Sequence, residues 1–348
     1  MRSLRSVLGC VLGMAALAVT AAGQPANEYY RGKEVSILVG YAAGGGYDTF
    51  ARAIAQVVGR YLPGSPTVIV QNMPGADGLA VANYMAQRAP RDGTVIALTN
   101  RELVTAPLLG SIEQSSIQYD PTQFNWIANL NAEVSVFIFR SDHGIRSLDD
   151  LRQRDAVVGA TGLTSDNAIY PYVANNILGT RLKVVAGYPG TSHLMLALDR
   201  GEIDGIGGLS WSSLQVQRPD WIAEKKVVPV LQIGLTSIPE LKGVPFILDL
   251  AHNDDERHAL ELVVAPAALG RPFFAPPKTP APIVALLRQG FAAAAADPDF
   301  KAAVERARLD VTFTDGSAIQ ELVSRLNSTG PEAVQLARHA LRRGGTGQ

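Results

Sequence analysis

Short apolar stretches rich in β-branched residues alternate along this chain with longer stretches in which apolar positions recur every three or four residues. The first pattern predicts strands at 35–39, 67–70, 94–98, 134–139, 156–158, 183–186 and 227–233. The second predicts helices at 48–61, 79–87, 148–153, 165–178 and 191–199. This alternation predicts an α/β protein with mainly parallel sheets covered by helices on both faces. Ligands are then expected where the strands end, at their carboxyl edge.

The first 23 residues have the order of a secretory signal peptide. Arg2 and Arg5 precede an uncharged apolar run over 7–19, and small residues follow at 20–23. This run is shorter than the roughly 20 residues that a membrane-spanning helix needs. The sequence therefore predicts cleavage near Gly23 or Gln24 and a soluble periplasmic protein.

Composition narrows the chemistry of the expected site. The single cysteine, Cys10, lies within the predicted signal, so the processed chain has no thiol for a disulfide, a metal site or a nucleophile. The formal net charge of -1 gives no basic footprint for nucleic acid. The five histidines lack zinc-ligand spacing, and no Gly-x-Ser-x-Gly elbow occurs. We expect no metal, cofactor or nucleic acid; an α/β hydrolase or transferase acting on a small organic acid is the alternative to a binding protein.

A glycine-rich segment, GYAAGGGYD over 40–48, follows the first predicted strand. Consecutive glycines let the backbone approach a ligand and direct amides toward it. Asp48 is expected to cap the next helix, whose N-terminus favours an anion. Residue 49 is threonine where a dinucleotide fingerprint has its third glycine, and no Gly-Lys-Ser/Thr follows, so both nucleotide motifs are excluded. A tight turn without a ligand is the alternative interpretation.

Eight segments in a fixed order carry a family resemblance. They are GGGYD at 44–48, VQNMPGADG at 70–78, APRDGT at 89–94, GATGLTS at 159–165, GYPGT at 187–191, RGEID at 200–204, APPKTPAP at 275–282 and ADPDF at 296–300. Taken together, the segments resemble the substrate-binding subunits of tripartite tricarboxylate transporters, also called Bug-type receptors. The resemblance covers most of the processed chain.

The resemblance implies a two-lobed periplasmic-binding-protein fold of type II, in which the chain crosses between the lobes twice. With crossings near 131–133 and 234–236, residues 24–132 and 236–348 form lobe one and 133–235 form lobe two. It also implies a monomeric receptor that closes in Venus-flytrap manner on a small carboxylate, without chemistry. Integral membrane transporter subunits would receive the ligand.

In such receptors, amides, hydroxyls and water from one loop of each lobe hold the carboxylate. Arg101 is a further candidate for a second carboxylate, or else a solvated arginine at a helix start. The aromatic candidates either wall the cleft or pack in the core. The expected ligand-binding residues are Ala43, Gly44, Gly45, Gly46, Tyr47, Asp48, Arg101, Thr161, Gly162, Thr164, Ser165, Tyr188, Thr191 and Trp211. Because Ala160 lacks the usual hydroxyl and Asp166-Asn167 replaces a typical Ser-His pair, the ligand's identity is not carried over.

The predicted signal can be tested directly on the exported protein. We expect the mature chain to begin within a few residues of Gln24, because signal peptidase cleaves after small residues that follow the apolar run. N-terminal sequencing of protein recovered from the periplasm measures this. A mature chain that still begins at Met1 would contradict the prediction.

Overall fold

The computed structural model describes residues 28–41, 43–44, 46–110, 112–162, 165–188, 191–307 and 309–342. The predicted signal peptide lies outside these ranges. The strands are β1 (Glu34–Val39), β2 (Thr67–Asn72), β3 (Val95–Leu98), β4 (Asn125–Asn129), β5 (Ser135–Arg140), β6 (Ala156–Ala160), β7 (Leu182–Ala186), β8 (Gly205–Ser210), β9 (Val227–Ile233), β10 (Pro272–Ala275) and β11 (Thr314–Asp315).

Helices cover these strands. They are α1 (Gly46–Val58), α2 (Leu79–Gln87), α3 (Ala106–Leu109), α4 (Leu148–Gln153), α5 (Asp166–Leu178), α6 (Thr191–Asp199), α7 (Trp211–Gln217), α8 (Pro219–Ala223), α9 (Asp254–Ala268), α10 (Ala281–Ala296), α11 (Pro298–Arg306), α12 (Gly316–Asn327) and α13 (Pro331–Ala340). Within the described ranges, no helix has the length and apolar character needed to span a membrane.

The strands form two sheets, which confirms the α/β prediction. The first has the order β11-β4-β10-β3-β1-β2 and the second β7-β6-β8-β5-β9. We call the first sheet with its helices lobe one and the second with its helices lobe two. Strands of lobe one come from both ends of the chain, and strands of lobe two come from the middle. The exact boundaries at 132 and 236 stay a prediction.

Both sheets have mixed pairing. In lobe one, β1 pairs in parallel with β2 and β3, whereas β10 is antiparallel to both β3 and β4. In lobe two, β6 is parallel to β7 and β8, whereas β5 is antiparallel to β8 and β9. Strand β11 is also antiparallel to β4. Five of the nine pairings between described strands are therefore antiparallel, and the two sheets are mixed rather than mainly parallel as predicted.

Strand β8 was not predicted from the hydrophobic pattern, because its sequence, GIGGLS, has the glycine-rich composition of a loop. The structure explains the glycines. A Cβ on Gly207 would lie 2.5 Å from Pro171 Cγ, and one on Gly208 would lie 2.8 Å from Tyr170 Cδ2. Without these side chains, α5 packs directly against the middle of the sheet.

Helix α13, the last in the described part of the chain, connects the two lobes. At the end of α5, the Asn176 Nδ2 donates to the carbonyl oxygens of Ala340 at 2.9 Å and Arg342 at 3.0 Å. These oxygens lie at the C-terminus of α13, where helical carbonyls lack intrahelical partners. A residue of lobe two thus completes a helix that packs on α9 of lobe one.

Asn129 secures the first crossing. It is fully buried, its Nδ2 donates to the carbonyls of Asn131 (2.7 Å) and Ala268 (2.9 Å), and its Oδ1 accepts from the Arg271 N–H at 2.8 Å. One side chain therefore holds the end of β4, the crossing segment, the end of α9 and the start of β10.

We expect Asn129→Ala to lower the free energy of unfolding by about 3 kcal/mol, because three buried backbone groups lose their partner. Urea unfolding of the mature protein measures the change. The matched control is Asn83→Ala, which removes two exposed hydrogen bonds to residues 116 and 118 and should lower the free energy by less than about 1 kcal/mol. Equal effects of the two variants would contradict the assigned role of Asn129.

Candidate functional site

A cleft of about 410 Å³ lies between the two sheets. Lobe one contributes aromatic, amide and charged side chains, whereas lobe two contributes mostly hydroxyls, amides and one carboxylate. The lining residues are Tyr41, Tyr47, Asn100, Arg101, Glu102, Glu133, Ser135, Ser165, Asp166, Asn167, Thr191, Gly208, Leu209, Ser210, Ser213, Gln217 and Arg271. Its volume is within the range of about 300 to 1,000 Å³ that is typical of small-molecule sites.

The sheet topology explains why these residues converge. Parallel strands present their carboxyl ends to the cleft, as expected. An antiparallel neighbour presents its amino end at the same edge. Thus Ser135, which begins β5, lies opposite Ser210, which ends β8. Likewise Arg271 directly precedes β10, whose Phe273 pairs with Leu98 at the end of β3.

Asp48 organises the glycine-rich segment from below. Its side chain is buried, Oδ2 accepts from Gly44 N–H at 2.8 Å and Arg52 Nε at 2.9 Å, and Oδ1 accepts from Asn72 Nδ2 at 2.8 Å. The same Asn72 Nδ2 also donates to the carbonyl of Tyr41 at 2.9 Å. The hydrogen bond from Arg52, supported by those from Gly44 and Asn72, lowers the pKa of Asp48 to about 2.

This arrangement corrects the prediction that Asp48 caps α1. The helix already begins at Gly46, so Asp48 lies within the first turn and reaches back to Gly44, whose φ of +90° suits glycine. The Gly44 amide is therefore used within the loop. Ala43, Gly44 and Gly46 do not line the cleft, and Gly45 lies outside the described residues.

Arg101 lies in the cleft but is already paired with carboxylates. Its guanidinium bonds Glu133 at 3.0 Å, Glu102 at 3.3 Å and, at close range, Asp166 at the start of α5. Only 13% of its side chain is exposed. Burial alone would lower the pKa of Arg101, but the three carboxylates outweigh it and hold that pKa above its ordinary range. The pair with Asp166 joins the two lobes.

Arg271, which the sequence analysis missed, is the other cation of the cleft. Its guanidinium stacks 4.4 Å from the Tyr47 ring, and Nη1 donates to the carbonyl of Gly270 at 2.5 Å. Its Nε is buried without a hydrogen-bond partner, and among the described residues it forms no ion pair. Nη2 lies 3.1 Å from the place that a Cβ on Gly46 would occupy. Arg271 and the N-terminus of α1 are therefore adjacent.

The second predicted loop also uses its amides internally. Thr161 N–H donates to Asn167 Oδ1 at 3.0 Å, and Gly162 N–H donates to Ser165 Oγ at 3.2 Å. Of these residues, Ser165 and Asn167 line the cleft, while Thr161 and Gly162 do not. Thr164 lies outside the described residues.

The remaining candidates divide between cleft and core. Tyr47 lines the cleft, stacked on Tyr41 at a centroid distance of 4.7 Å, and burial raises its pKa. Thr191 lines the cleft at the start of α6. Tyr188 and Trp211 instead pack in the apolar core of lobe two, away from the lining.

Sequence reasoning also missed the polar lining of lobe two and the crossing. These residues are Ser135, Asn167, Ser210, Ser213, Gln217 and, before β5, Glu133. The charges of the cleft are unevenly distributed. Three carboxylates form ion pairs with Arg101, whereas Arg271 forms no ion pair with any described carboxylate. The site thus offers one available guanidinium, several hydroxyls and amides, and no described cluster of ligands for a metal ion.

Two relatives match most of the chain. A UPF0065 protein of Bordetella bronchiseptica is 26% identical over 260 residues, covering 69% of this chain and 76% of the relative. A UPF0065 protein of Agrobacterium vitis is 26% identical over 280 residues, covering 78% of this chain and 74% of the relative. No protein-family model matches the chain.

Solved structures of similar architecture cover nearly the whole described chain. A TctC solute-binding protein from Polaromonas has a TM-score of 0.68 at 22% identity, covering 87% of this chain and 96% of that one. The periplasmic binding protein BugD has a TM-score of 0.55 at 23% identity, covering 88% and 97%. MatC from Rhodopseudomonas palustris, with bound malate, has a TM-score of 0.54 at 19% identity, covering 88% and 98%.

These comparisons confirm the resemblance to TctC- and Bug-type receptors. They also confirm the periplasmic-binding-protein fold with its two α/β lobes. The TctC protein from Polaromonas and BugD are binding proteins, which is the class of protein that the sequence predicted.

Asp48 provides a pH-dependent test of the loop. Its folded-state pKa of about 2 lies below its ordinary value of 3.8, so its stabilisation is present above pH 4 and is lost as the pH falls from about 4 to 2. We expect Asp48→Asn to lower the free energy of unfolding by about 2 kcal/mol at pH 7 and by much less at pH 2.5.

Urea unfolding of both proteins at a series of pH values measures this difference. The control is Asp149→Asn, an exposed carboxylate on α4 that pairs with Arg152, which should change the free energy by less than about 1 kcal/mol. A constant difference between Asp48→Asn and the unmodified protein from pH 7 to 2.5 would refute the assignment.

Proposed function

We propose that this protein is a periplasmic receptor that binds a small carboxylate in the interlobe cleft and delivers it to a membrane transporter. The cleft has the volume of a small-molecule site and is walled by both lobes. The resemblance to TctC- and Bug-type receptors supports delivery to transporter subunits. The signal peptide expected at 1–23 supports export through a cleaved leader.

Arg271 is the observation that carries the proposal. Its guanidinium lines the cleft and forms no ion pair with the described residues, so its charge attracts an anion and can form charge-assisted hydrogen bonds with it. The adjacent N-terminus of α1 adds attraction for negative charge. Arg101 does not provide such a site, since its guanidinium is already bonded to three carboxylates.

Hydroxyls and amides of lobe two complete the site. Ser165, Asn167 and Thr191 reach the cleft from the starts of α5 and α6, and Ser210 and Ser213 reach it from the end of β8 and from α7. A carboxylate bound to Arg271 and to these groups would touch both lobes. Such a ligand favours the closed arrangement by its contacts with both sides.

A thermal-shift panel on the mature protein tests the proposed class of ligand. We expect carboxylates among acetate, propanoate, succinate, malate, adipate and benzoate to raise the melting temperature, and acetamide and benzamide to leave it unchanged. A ligand present at about 100 times its Kd stabilises the folded state by about 2.7 kcal/mol. Equal shifts with acids and amides would contradict carboxylate recognition.

Calorimetry with the best acid of that panel tests the anchor. Arg271→Met should weaken binding at least about tenfold, because a hydrogen bond to a charged group contributes about 1.5 to 3 kcal/mol. The affinity of Arg271→Lys should lie between those of the unmodified protein and Arg271→Met, because lysine keeps the positive charge but lacks the planar guanidinium that forms two parallel hydrogen bonds. The control Arg306→Met alters an exposed arginine on α11 and should keep full affinity. Unchanged binding by Arg271→Met would place the anchor elsewhere.

A further inference from the structure

A second cavity of about 470 Å³ lies behind the cleft, between the lobes. We call it the apolar chamber. Lobe one supplies α2, α3 and α9 and the end of α13, and lobe two supplies α5. Its apolar lining includes Leu79, Leu109, Ile112, Ile169, Val263 and Leu341.

The chamber is open to solvent at one side, where Ala76 and Ser116 are exposed and Leu109, Ile112 and Leu341 are only half-buried. Packing within the described residues therefore leaves part of this apolar lining uncovered. Removing apolar surface from water is favourable by roughly 25 cal/mol per Å², so an apolar group that covers this lining gains binding free energy. Volume and lining are those of a site for an apolar group of a small molecule.

The chamber adjoins the cleft. Asn100, Glu102 and Asp166 line both cavities. A chain of contacts leads from the anchor to this boundary: Arg271 stacks on Tyr47, and the Tyr47 hydroxyl accepts from the N–H of Arg101 at 3.4 Å. Arg101 in turn forms ion pairs with Asp166 and Glu102. Its positive charge therefore offsets part of the negative charge where the two cavities meet.

The charges of the cleft differ between the end near Arg271 and the end near Arg101, so they favour different groups of a bound molecule. The cleft lining contains two guanidinium groups, on Arg101 and Arg271, and three carboxylates, on Glu102, Glu133 and Asp166. All three carboxylates bond Arg101 and therefore lie together. A second carboxylate of the ligand at that end would meet a surplus of negative charge. An apolar end would meet no such repulsion.

We infer that the ligand is an amphipathic monocarboxylate whose head group binds Arg271 and whose aliphatic or aromatic body enters the apolar chamber. This inference rests on the proposed carboxylate receptor and specifies its class of ligand. It distinguishes the protein from MatC, the relative with bound malate, a compact polar diacid.

Pairs of acids matched in chain length test the inference by calorimetry on the unmodified mature protein. Hexanoate is compared with adipate and octanoate with suberate, since each pair differs in a terminal methyl against a carboxylate. We expect the monoacid to bind at least about tenfold more tightly in each pair. From propanoate to octanoate, Kd should fall about fourfold for each methylene that enters the chamber.

A substitution that fills the chamber with a large side chain provides a second test of the inference. Leu109→Trp should remove the gain in affinity with chain length and keep the affinity for propanoate, because Leu109 lines the chamber and not the cleft. The control Leu196→Trp places the same side chain on the exposed face of α6, where Leu196 is 44% exposed. It should change neither the gain in affinity with chain length nor the affinity for propanoate. The comparison of acids on the unmodified protein stands even where Leu109→Trp does not fold.

Three outcomes separate this inference from the proposed function. Diacids that bind as tightly as monoacids, with no dependence on chain length, overturn the amphipathic ligand and leave the carboxylate receptor standing. Chain-length dependence that persists fully in Leu109→Trp places the apolar site elsewhere and overturns the chamber. Failure of every acid to bind, propanoate included, overturns the receptor for carboxylates itself.

Discussion

The arrangement of the cleft depends on the buried guanidinium of Arg101. A charge removed from water costs several kcal/mol unless it is paired and hydrogen-bonded. Here the partners come from three places: Glu102 beside it in lobe one, Glu133 at the crossing and Asp166 at the start of α5 in lobe two. Because the cation is stably buried only with these partners, its pair with Asp166 links the two lobes in this arrangement. Arg271 is then the guanidinium of the cleft lining that has no ion pair among the described residues.

The sequence was informative about elements and about the general location of the site. Each predicted strand and helix is present, because the apolar periodicity reports the faces that the two lobes bury. The strand ends near Tyr47, Ser165 and Thr191 do meet in one cleft. No strand was predicted at β4, β8, β10 or β11. In β8, the glycines admit a neighbouring helix rather than mark a loop.

The chemistry of the site was harder to predict, for two physical reasons. The amides of Gly44 and Gly162 bond to side chains of their own loops, a local choice that composition does not reveal. Arg271 and Ser135 reach the cleft from the amino ends of strands. A search of carboxyl ends assumes parallel neighbours and overlooks such residues. Tyr188 and Trp211 show the converse, since large aromatics near strand ends also serve to fill a core.

The position of β10 has a consequence for the order in which the chain acquires its structure. This strand lies between β3 and β4 in the first sheet, yet it is made of residues that follow β4 by more than a hundred positions. Until Pro272–Ala275 leave the ribosome, β3 and β4 have no bridge, and both keep an unpaired edge. At about 5 to 20 residues per second, this interval lasts roughly 7 to 30 s. The discontinuous sheet thus stays incomplete until β10 has been made, whereas the strands of lobe two, which come from a contiguous segment, need no residue beyond β9.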